Sequence, residues 1–291
     1  MKKRMKVLLG YDGSIYADAA IDDLRGAGLP RDVEMLVVTV GEEAVVPPFA
    51  NVESILGERA ISIANHAGAH ITDALADATN LAGSAVRKLE SCFPGWNVRP
   101  IAVGGSPATE LIREARGWAA DLIVVGSQGR SAVGRFIFGS VSLEVATDAT
   151  CSVRIGRVFE SRDHHTRRII VGLDGLAGSE RAIKQILKRA WPQGTELRII
   201  AVEDGRSLTK TAKFISTSNE PVELGEAPGL KVFAEIKEGD PASVLMTEAR
   251  EWKADCIFVA AKVFTNGAGD SRNTISTQLA TNAHCSVEII R

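Results

Sequence analysis

Residues 104–127 read GGSPATELIREARGWAADLIVVGS, and residues 238–261 read EGDPASVLMTEAREWKADCIFVAA. The two stretches are 134 residues apart and share identical residues at matching steps, among them Pro107/Pro241, Trp118/Trp252 and Asp121/Asp255. A proline ahead of apolar residues that recur every three or four positions predicts the start of an amphipathic helix. The apolar run that follows predicts a strand buried on both faces. The chain therefore contains the same helix–strand unit twice.

The repeat extends beyond this unit in both directions. ATDATCSV at 146–153 matches ATNAHCSV at 280–287 at the same offset, whereas KVLLGYDG at 6–13 matches RIIVGLDG at 168–175 at an offset of 162. The second copy is therefore 28 residues shorter, and the loss falls in its middle. We expect the shorter copy to lack most of the long second helix.

The connection between the copies is predicted in the charged segment FESRDHHTR at 159–167, which has no periodic apolar pattern. We therefore predict two domains, at 1–158 and 167–291. A chain of 291 residues fits two domains at about 100–200 residues each.

Strands and helices alternate in each copy. In the first copy the predicted strands lie at 6–10, 33–40, 97–103, 121–126 and 152–155. Ser14 is the predicted N-cap of the helix after the first strand, because a serine hydroxyl can accept a backbone N–H that has no helical partner. A long helix is predicted around residues 63–89 from its apolar periodicity. This alternation predicts an α/β fold whose parallel sheet binds ligands beyond the carboxyl ends of its strands.

Composition and charge exclude several classes of partner. The chain has 34 Lys and Arg against 36 Asp and Glu, which argues against the broad basic face that binds DNA or RNA. No stretch approaches the ~18–20 apolar residues that span a bilayer, so no membrane partner is expected. The four cysteines are scattered without a CxxC pair, which favours reduced thiols and a cytoplasmic location over a disulfide framework or a zinc module.

A glycine pattern follows the fourth predicted strand. Gly126-Ser127-Gln128-Gly129 is followed by nine residues and then by Gly139-Ser140 at the predicted start of a helix, giving G-x2-G-x9-G-S. Glycines let a backbone approach a ligand closely, and a helix N-terminus favours an anion. Arg130 and Arg135 in the same loop could neutralise phosphate charge. The pattern predicts a polyphosphate site, although glycine spacing alone is equally consistent with a Gly-rich connector and solvated arginines.

Several motifs together resemble the universal stress protein family. They are Asp12 after the first strand, Thr39-Val40 at the end of the second, GGSPATELI, DLIVVGSQGR and the G-x2-G-x9-G-S pattern. They resemble the ATP-binding branch of that family, and the two copies resemble its tandem form. The resemblance implies two Rossmann-like domains of the adenine nucleotide alpha hydrolase-like type. Each would be a five-stranded parallel sheet of order 3-2-1-4-5 with flanking helices.

The resemblance also implies a nucleotide site in the first domain. Its predicted residues are Asp12, Val40, Gly126, Gln128, Gly129, Arg130, Gly139, Ser140 and Val141. Asp12 would hold the ribose or the adenine edge, and the backbone of Val40 would read adenine. The early glycines would line the ribose and phosphates, and the start of the following helix would hold the phosphates with Mg²⁺ bound to them. Read without the resemblance, Asp12 is better explained as a turn or helix-capping carboxylate after the first strand than as a ligand-binding residue.

The resemblance implies a regulatory or signalling protein of the stress response that acts through bound ATP. No catalytic residue is predicted, because the phosphate loop contains no evident general base for an attacking water. One alternative is a slow ATPase. Another is a nucleotide-independent scaffold that binds a partner or an apolar ligand through the second domain. A homodimer of tandem chains is also expected.

The second copy departs from the glycine pattern. At the 134-residue offset, Ala260, Val263, Phe264 and Asn273 stand where the first copy has Gly126, Gly129, Arg130 and Gly139. Side chains there would occupy the space that the first copy leaves to bare backbone. We predict a degenerate nucleotide site and a structural or regulatory role for the second domain.

The last strand of each copy, at 152–155 and 286–290, would otherwise be an exposed sheet edge. Single-domain members of the family commonly dimerise through this strand. The resemblance therefore implies that the two strands pair antiparallel within one chain. The alternative is two independent domains on a flexible tether.

Overall fold

Strands and helices alternate along the chain in both halves. The computed structural model describes residues 4–41, 58–128, 139–157, 166–173, 177–203, 222–227, 229–261 and 274–291.

The first half contains five strands and four helices among its described residues. They are β1 (Met5–Gly10), α1 (Ile15–Asp23), β2 (Val33–Gly41), α2 (Glu58–Cys92), β3 (Asn97–Gly104), α3 (Pro107–Trp118), β4 (Leu122–Gly126), α4 (Ser140–Asp148) and β5 (Ser152–Gly156). The five predicted strands are confirmed to within one residue at each end. The hydroxyl of Ser14 accepts the N–H of Ala17 at 3.1 Å, so the predicted cap of α1 is also confirmed.

The second half repeats this order with one change. Its described elements are β6 (Arg168–Leu173), α5 (Ala177–Leu187), β7 (Thr195–Glu203), β8 (Val222–Ala227), β9 (Leu230–Glu238), α6 (Pro241–Glu251), β10 (Cys256–Ala260), α7 (Ile275–Asn282) and β11 (Ser286–Ile290). Helices α3 and α6 both begin at the proline of the repeated stretch. Proline is suited to that position, because the first helical N–H has no partner within the helix.

All eleven described strands form one sheet in the order β3-β2-β1-β4-β5-β11-β10-β6-β7-β9-β8. Within the first half the strands are parallel and follow the predicted order 3-2-1-4-5. The second half has the same order in β9-β7-β6-β10-β11, again with parallel pairs. The predicted fold class is confirmed.

The second half adds strand β8, which the sequence analysis did not predict. β8 pairs antiparallel with β9 at the outer edge of the sheet, between the second and third parallel strands along the chain. The first half has the 35-residue helix α2 between the corresponding strands. Gly229 in the turn has φ +84, a conformation that favours glycine. The dipeptide Pro228-Gly229 between two strand-like runs was the sequence signal for this hairpin.

The two halves share a hydrophobic core on one face of the sheet. A single cluster of buried residues includes Ile123 and Val153 from the first half with Ile257 and Val287 from the second. On the opposite face each half has a separate cluster, packed under α1 and α2 in the first half and under α5 in the second. The halves therefore bury apolar surface against each other as well as sharing a sheet.

The predicted pairing of the last strands is confirmed. β5 and β11 run antiparallel at the centre of the sheet, with Ile155 opposite Val287, Arg154 opposite Glu288 and Val153 opposite Ile289. Each strand also pairs with the fourth strand of its own half, so neither edge of β5 or β11 is left without a neighbour. The last strands therefore join the two halves of the chain into a pseudo-dimer.

Candidate functional site

The carboxyl ends of β1, β2 and β4 meet at one edge of the sheet. β1 lies between the other two, with Gly10 opposite Val38 of β2 and Leu9 opposite Val124 of β4. The strand order reverses between β1 and β4, which is where open α/β sheets bind ligands. The predicted site residues that follow these strands therefore lie along the expected edge.

Asp12 forms a turn that starts helix α1. One of its carboxylate oxygens accepts the backbone N–H of Ser14 at 3.0 Å, and Ser14 in turn caps the helix. The structure therefore assigns Asp12 the turn role that the sequence left open. Its predicted contact with a nucleotide stays a prediction.

Tyr11 is a buried polar residue of this edge that the sequence analysis did not identify. Its backbone N–H donates to the carbonyl of Val38 at 3.0 Å, and its hydroxyl donates to Asp18 at 3.0 Å. The pKa of Tyr11 is raised to about 12, mainly because the phenol is buried. The charge and hydrogen bond of Asp18 and the charge of Asp12 raise it further. The phenol therefore keeps its proton at neutral pH and links the end of β1 to α1.

Gly126 ends β4 against the backbone of α1. A Cβ atom built at this position would lie 2.6 Å from the carbonyl carbon of Tyr16 and 2.9 Å from the nitrogen of Ala17. Real Cβ atoms do not approach backbone so closely, so any side chain at Gly126 would push α1 away from the sheet. In the glycine pattern of the sequence, Gly126 is explained by close approach of a ligand alone. The packing of α1 is a second and independent reason for it.

The start of α4 is held beside the end of β4. The N–H of Gly139 donates to the carbonyl of Ser127 at 3.1 Å, and the hydroxyl of Ser142 donates to the same carbonyl at 3.2 Å. Gly139 is the N-cap residue, with extended backbone (φ −68°, ψ 136°), and it has no side chain to accept a hydrogen bond. Within the described part of the chain, the first turn of α4 thus has no side-chain cap. Its N–H groups face the edge where the phosphates are predicted.

The equivalent helix of the second half is capped by its own side chains. The hydroxyl of Thr274 accepts the N–H of Thr277 at 3.2 Å, and the N–H of Thr274 donates to the hydroxyl of Thr277 at 2.9 Å. This reciprocal capping box satisfies two donors that an anion would otherwise bind. The two halves therefore differ at the helix start where the sequence predicts phosphate binding in the first half.

Two polar atoms at the first-half edge are buried without a hydrogen-bond partner in the described structure. They are the hydroxyl oxygen of Thr39, near the end of β2, and the side-chain carbonyl oxygen of Gln128, after β4. Thr39 is only 2% exposed. A buried polar group without a partner costs about 1–3 kcal/mol, so such atoms mark positions that a ligand could satisfy. Thr39 appeared in the sequence analysis only as part of a motif.

The structure places most of the predicted site residues at this edge. Val40 is half-buried at the end of β2, opposite Val103 of β3. Ser140 is exposed and Val141 half-buried in the first turn of α4. Gly129 and Arg130 lie outside the described residues, as do Val263, Phe264 and Asn273 in the second half.

The described residues contain neither a membrane-spanning helix nor a cluster of metal-binding side chains. None of the described helices combines the length and apolar character needed to cross a membrane. The same residues contain no group of three or more His, Cys, Asp or Glu side chains arranged to hold a metal ion.

Comparison with known proteins identifies a family. The model of the universal stress protein family matches residues 3–157 and again residues 165–291. A universal stress protein of Mycolicibacterium smegmatis is 23% identical over 98% of this chain and 96% of its own. The crystal structure of a universal stress protein from Archaeoglobus fulgidus covers 98% of both chains at 22% identity, with a TM-score of 0.68.

A universal stress protein of Arabidopsis thaliana, solved with AMP bound, covers 54% of this chain and 93% of its own at 16% identity, with a TM-score of 0.31. The whole-chain likeness to the archaeal structure shows that the tandem fold is shared. The family model matches both halves separately and covers nearly all of the sequence. The chain therefore belongs to the universal stress protein family, in its tandem form.

Proposed function

We propose that the first half of this universal stress protein binds ATP with Mg²⁺ and that the second half binds no nucleotide. The bound state of the first half would be the signal that the protein transmits in the stress response. One observation carries the proposal, namely a contrast between two helix starts. Among the described residues no side chain caps the first turn of α4, whereas Thr274 and Thr277 cap the first turn of α7.

The start of α4 suits a phosphate group. Free N–H groups and the positive end of the helix dipole together favour an anion at this position. Gly139 leaves the approach to these N–H groups open because it has no side chain, and Ser140 adds a hydroxyl next to them. Gly129 and Arg130 would complete the phosphate site from the loop before α4.

The neighbouring strand ends suit a nucleoside. Val40 would contact adenine through its backbone, and Asp12 would hold the ribose. The orphaned oxygens of Thr39 and Gln128 support a polar ligand at this edge, since each could accept a hydrogen bond from a ribose hydroxyl or an adenine amino group. Mg²⁺ is commonly held by phosphates and water with one or two carboxylates, so the metal would arrive with the nucleotide.

A titration of the purified chain with Mg-ATP tests the number of sites. Calorimetry should give a stoichiometry of about one nucleotide per chain, because α4 is uncapped among the described residues and α7 is capped. A stoichiometry of about two would contradict the proposal for the second half, and no binding would contradict it for the first. Phosphate release measured in the same samples separates a binding protein from a slow ATPase.

Replacing Gly139 with Asp should weaken ATP binding while leaving the fold intact. The extended backbone at this position accepts any residue, and an aspartate there would cap α4 and repel phosphate. We expect Mg-ATP affinity to fall at least ~10-fold, about 1.4 kcal/mol. The melting temperature should stay level or rise, because Asp caps a helix slightly better than Gly.

Thr274→Asp is the matched control for this variant. It places the same carboxylate at the N-cap of α7, where the first turn is already capped. ATP affinity should be unchanged in this control. Equal loss of affinity in both variants, or no loss in either, would show that the phosphates do not bind at the start of α4.

The proposal extends to the assembled protein. Two tandem chains would associate as a homodimer in the cytoplasm, and nucleotide binding would bias which surfaces they present. Sedimentation of the chain with and without Mg-ATP measures that association directly.

A further inference from the structure

A pseudo-twofold axis relates the two halves and passes between Arg154 and Glu288. These residues occupy equivalent positions in the repeat, 134 residues apart, and they lie directly opposite each other where β5 and β11 pair. In a true twofold pairing of identical strands, the residue on the axis faces its own copy. Here the axis position carries an arginine in one half and a glutamate in the other.

The contacts on either side of the axis are symmetric. Arg157 follows β5 and donates its guanidinium to the carbonyl of Ala280 in α7, and its equivalent Arg291 follows β11 and donates to the carbonyl of Ala146 in α4. The backbone N–H of each arginine also donates to the serine that begins the other half's last strand, at 3.1 and 3.2 Å. Two identical halves could form these contacts equally well, so they do not select between like and unlike partners.

The contacts on the axis are not symmetric. The guanidinium of Arg154 donates to both carboxylate oxygens of Asp23, at 2.6 and 3.1 Å, and to Glu288 at 2.9 Å. Glu288 also accepts from Arg189 at 3.0 Å. Arg154 is 1% exposed and Glu288 is fully buried. These four residues form two positive and two negative charges, which we call the axis cluster.

Each half contributes one charge pair to the axis cluster. The first half brings Asp23 with Arg154, and the second brings Arg189 with Glu288. Each charge pair is therefore neutral, but the axis residue of the first half, Arg154, is positive and that of the second half, Glu288, is negative. Pairing β5 with a second β5 would bury Arg154 against Arg154, and pairing β11 with a second β11 would bury Glu288 against Glu288. Like charges directly opposite on paired strands are destabilising, and more so where water is excluded.

We propose that the last strands carry a charge code by which each half selects the unlike half and rejects its own copy. The edge of the first half accepts a strand with an acidic residue on the axis, and the edge of the second half accepts a strand with a basic one. The partner that fits each edge is therefore the other half, whether from the same chain or from a second copy of this chain. The symmetric contacts of Arg157 and Arg291 stabilise the pairing of the two strands, and the axis cluster determines which half is accepted as the partner.

Two full-length variants with opposite charge reversals test this code. Glu288→Arg places arginine at both axis positions, and Arg154→Glu places glutamate at both. Each variant alone should lose the native pairing of its halves. When the two chains are expressed together with different tags, the unaltered first half of one can pair with the unaltered second half of the other, which rebuilds one complete axis cluster.

The expected result is a 1:1 complex with about twice the mass of the 31.0 kDa chain. On co-expression, the complex that carries both tags should be at least ~10-fold more abundant than complexes that carry one tag twice, whereas the proposed homodimer surface by itself would mix the two chains at random. Mass spectrometry of the co-purified chains and light scattering measure this ratio. If the variants are insoluble alone, recovery of both tagged chains only on co-expression gives the same answer.

Charge reversals elsewhere on the surface provide the matched control. Glu251→Arg and Arg250→Glu make the same changes at exposed positions near the end of α6. Each of these control variants should show the same oligomer distribution as the wild type, both alone and when the two are expressed together. The charge code is wrong if the axis variants show the same oligomer distribution alone and together, or if neither chain is recovered even on co-expression.

Discussion

Replacing Val153 with proline should separate the two halves and destabilise the whole chain. Val153 is fully buried in β5, which pairs with β4 on one side and β11 on the other. Proline has no N–H, so one ladder hydrogen bond is lost whichever neighbour accepts it. The orphaned carbonyl alone costs about 1–3 kcal/mol, and the ring adds a clash in a strand that has no free edge. We expect a loss of at least ~3 kcal/mol in the free energy of unfolding.

The measurement is denaturant unfolding together with small-angle scattering. The variant should unfold at lower denaturant concentration, and the scattering profile should show a more extended particle than the wild type. Ala102→Pro is the matched control, because it lies in edge strand β3 two residues after Pro100. N–H groups two residues apart point to the same side, so this proline should be tolerated. Wild-type stability of Val153→Pro would contradict the central pairing of β5 with β11.

Replacing Arg154 with methionine should cost about 3–5 kcal/mol of stability, because it removes one partner from a buried charge cluster. Methionine fills much of the volume but leaves Asp23 without its paired guanidinium and Glu288 with only Arg189. The comparison is Arg116→Met, an exposed arginine of α3, which should change stability by less than ~0.5 kcal/mol. Urea unfolding of both variants against the wild type measures the difference.

The stability loss caused by Arg154→Met should depend on pH, and the pKa of Glu288 determines the direction of that dependence. Burial by itself would raise the pKa of Glu288, but the charges and hydrogen bonds of Arg189 and Arg154 outweigh burial and hold that pKa below its ordinary value. A carboxylate with a lowered folded-state pKa stabilises the protein above its unfolded pKa, and this contribution is lost as the pH falls through the folded value. Without Arg154 the pKa of Glu288 should rise.

The stability difference between wild type and Arg154→Met should therefore narrow as the pH is lowered towards ~4, the ordinary range of a glutamate. Urea unfolding of both proteins between neutral pH and pH ~4 measures this difference. A constant difference at every pH would mean that Glu288 is not held by Arg154. Adding Asp23→Asn to the variant should recover part of the lost stability, because it removes the other carboxylate that Arg154 neutralises.

The sequence predicted which segments of the chain form the candidate site, but it did not predict the contacts that their residues make. The glycine pattern led to the ends of β4 and α4, and the resemblance led to Asp12 and Val40. Nothing in the sequence distinguished a capped from an uncapped helix start, since Ser140 and Thr274 are both good capping residues. The difference arose because α4 begins one position earlier in the repeat than α7 does, with Gly139 at its N-cap.

Gly126 illustrates a second kind of limit. Its place in a glycine motif indicated a ligand, but the atoms that exclude a Cβ belong to Tyr16 and Ala17, more than a hundred residues earlier in the chain. The orphaned oxygens of Thr39 and Gln128 could not be recognised from sequence either, because burial without a partner is a property of the folded surroundings.

The family resemblance implied the antiparallel pairing of the last strands. The sequence by itself determined the two copies, the order of strands and helices along each copy, the cap of α1 and the proline start of α3. Those features follow from local periodicity, from turn chemistry and from the repeat. The dipeptide Pro228-Gly229 was the one sequence signal for the hairpin of β8 and β9, and only the tertiary structure decided that β8 forms the outer edge of the sheet and what the charges on β5 and β11 mean. Arg154 lies 131 residues from Asp23 and 134 residues from Glu288 along the chain, so no local pattern connects them. Their signs become informative only where folding places them on one axis and removes the water between them.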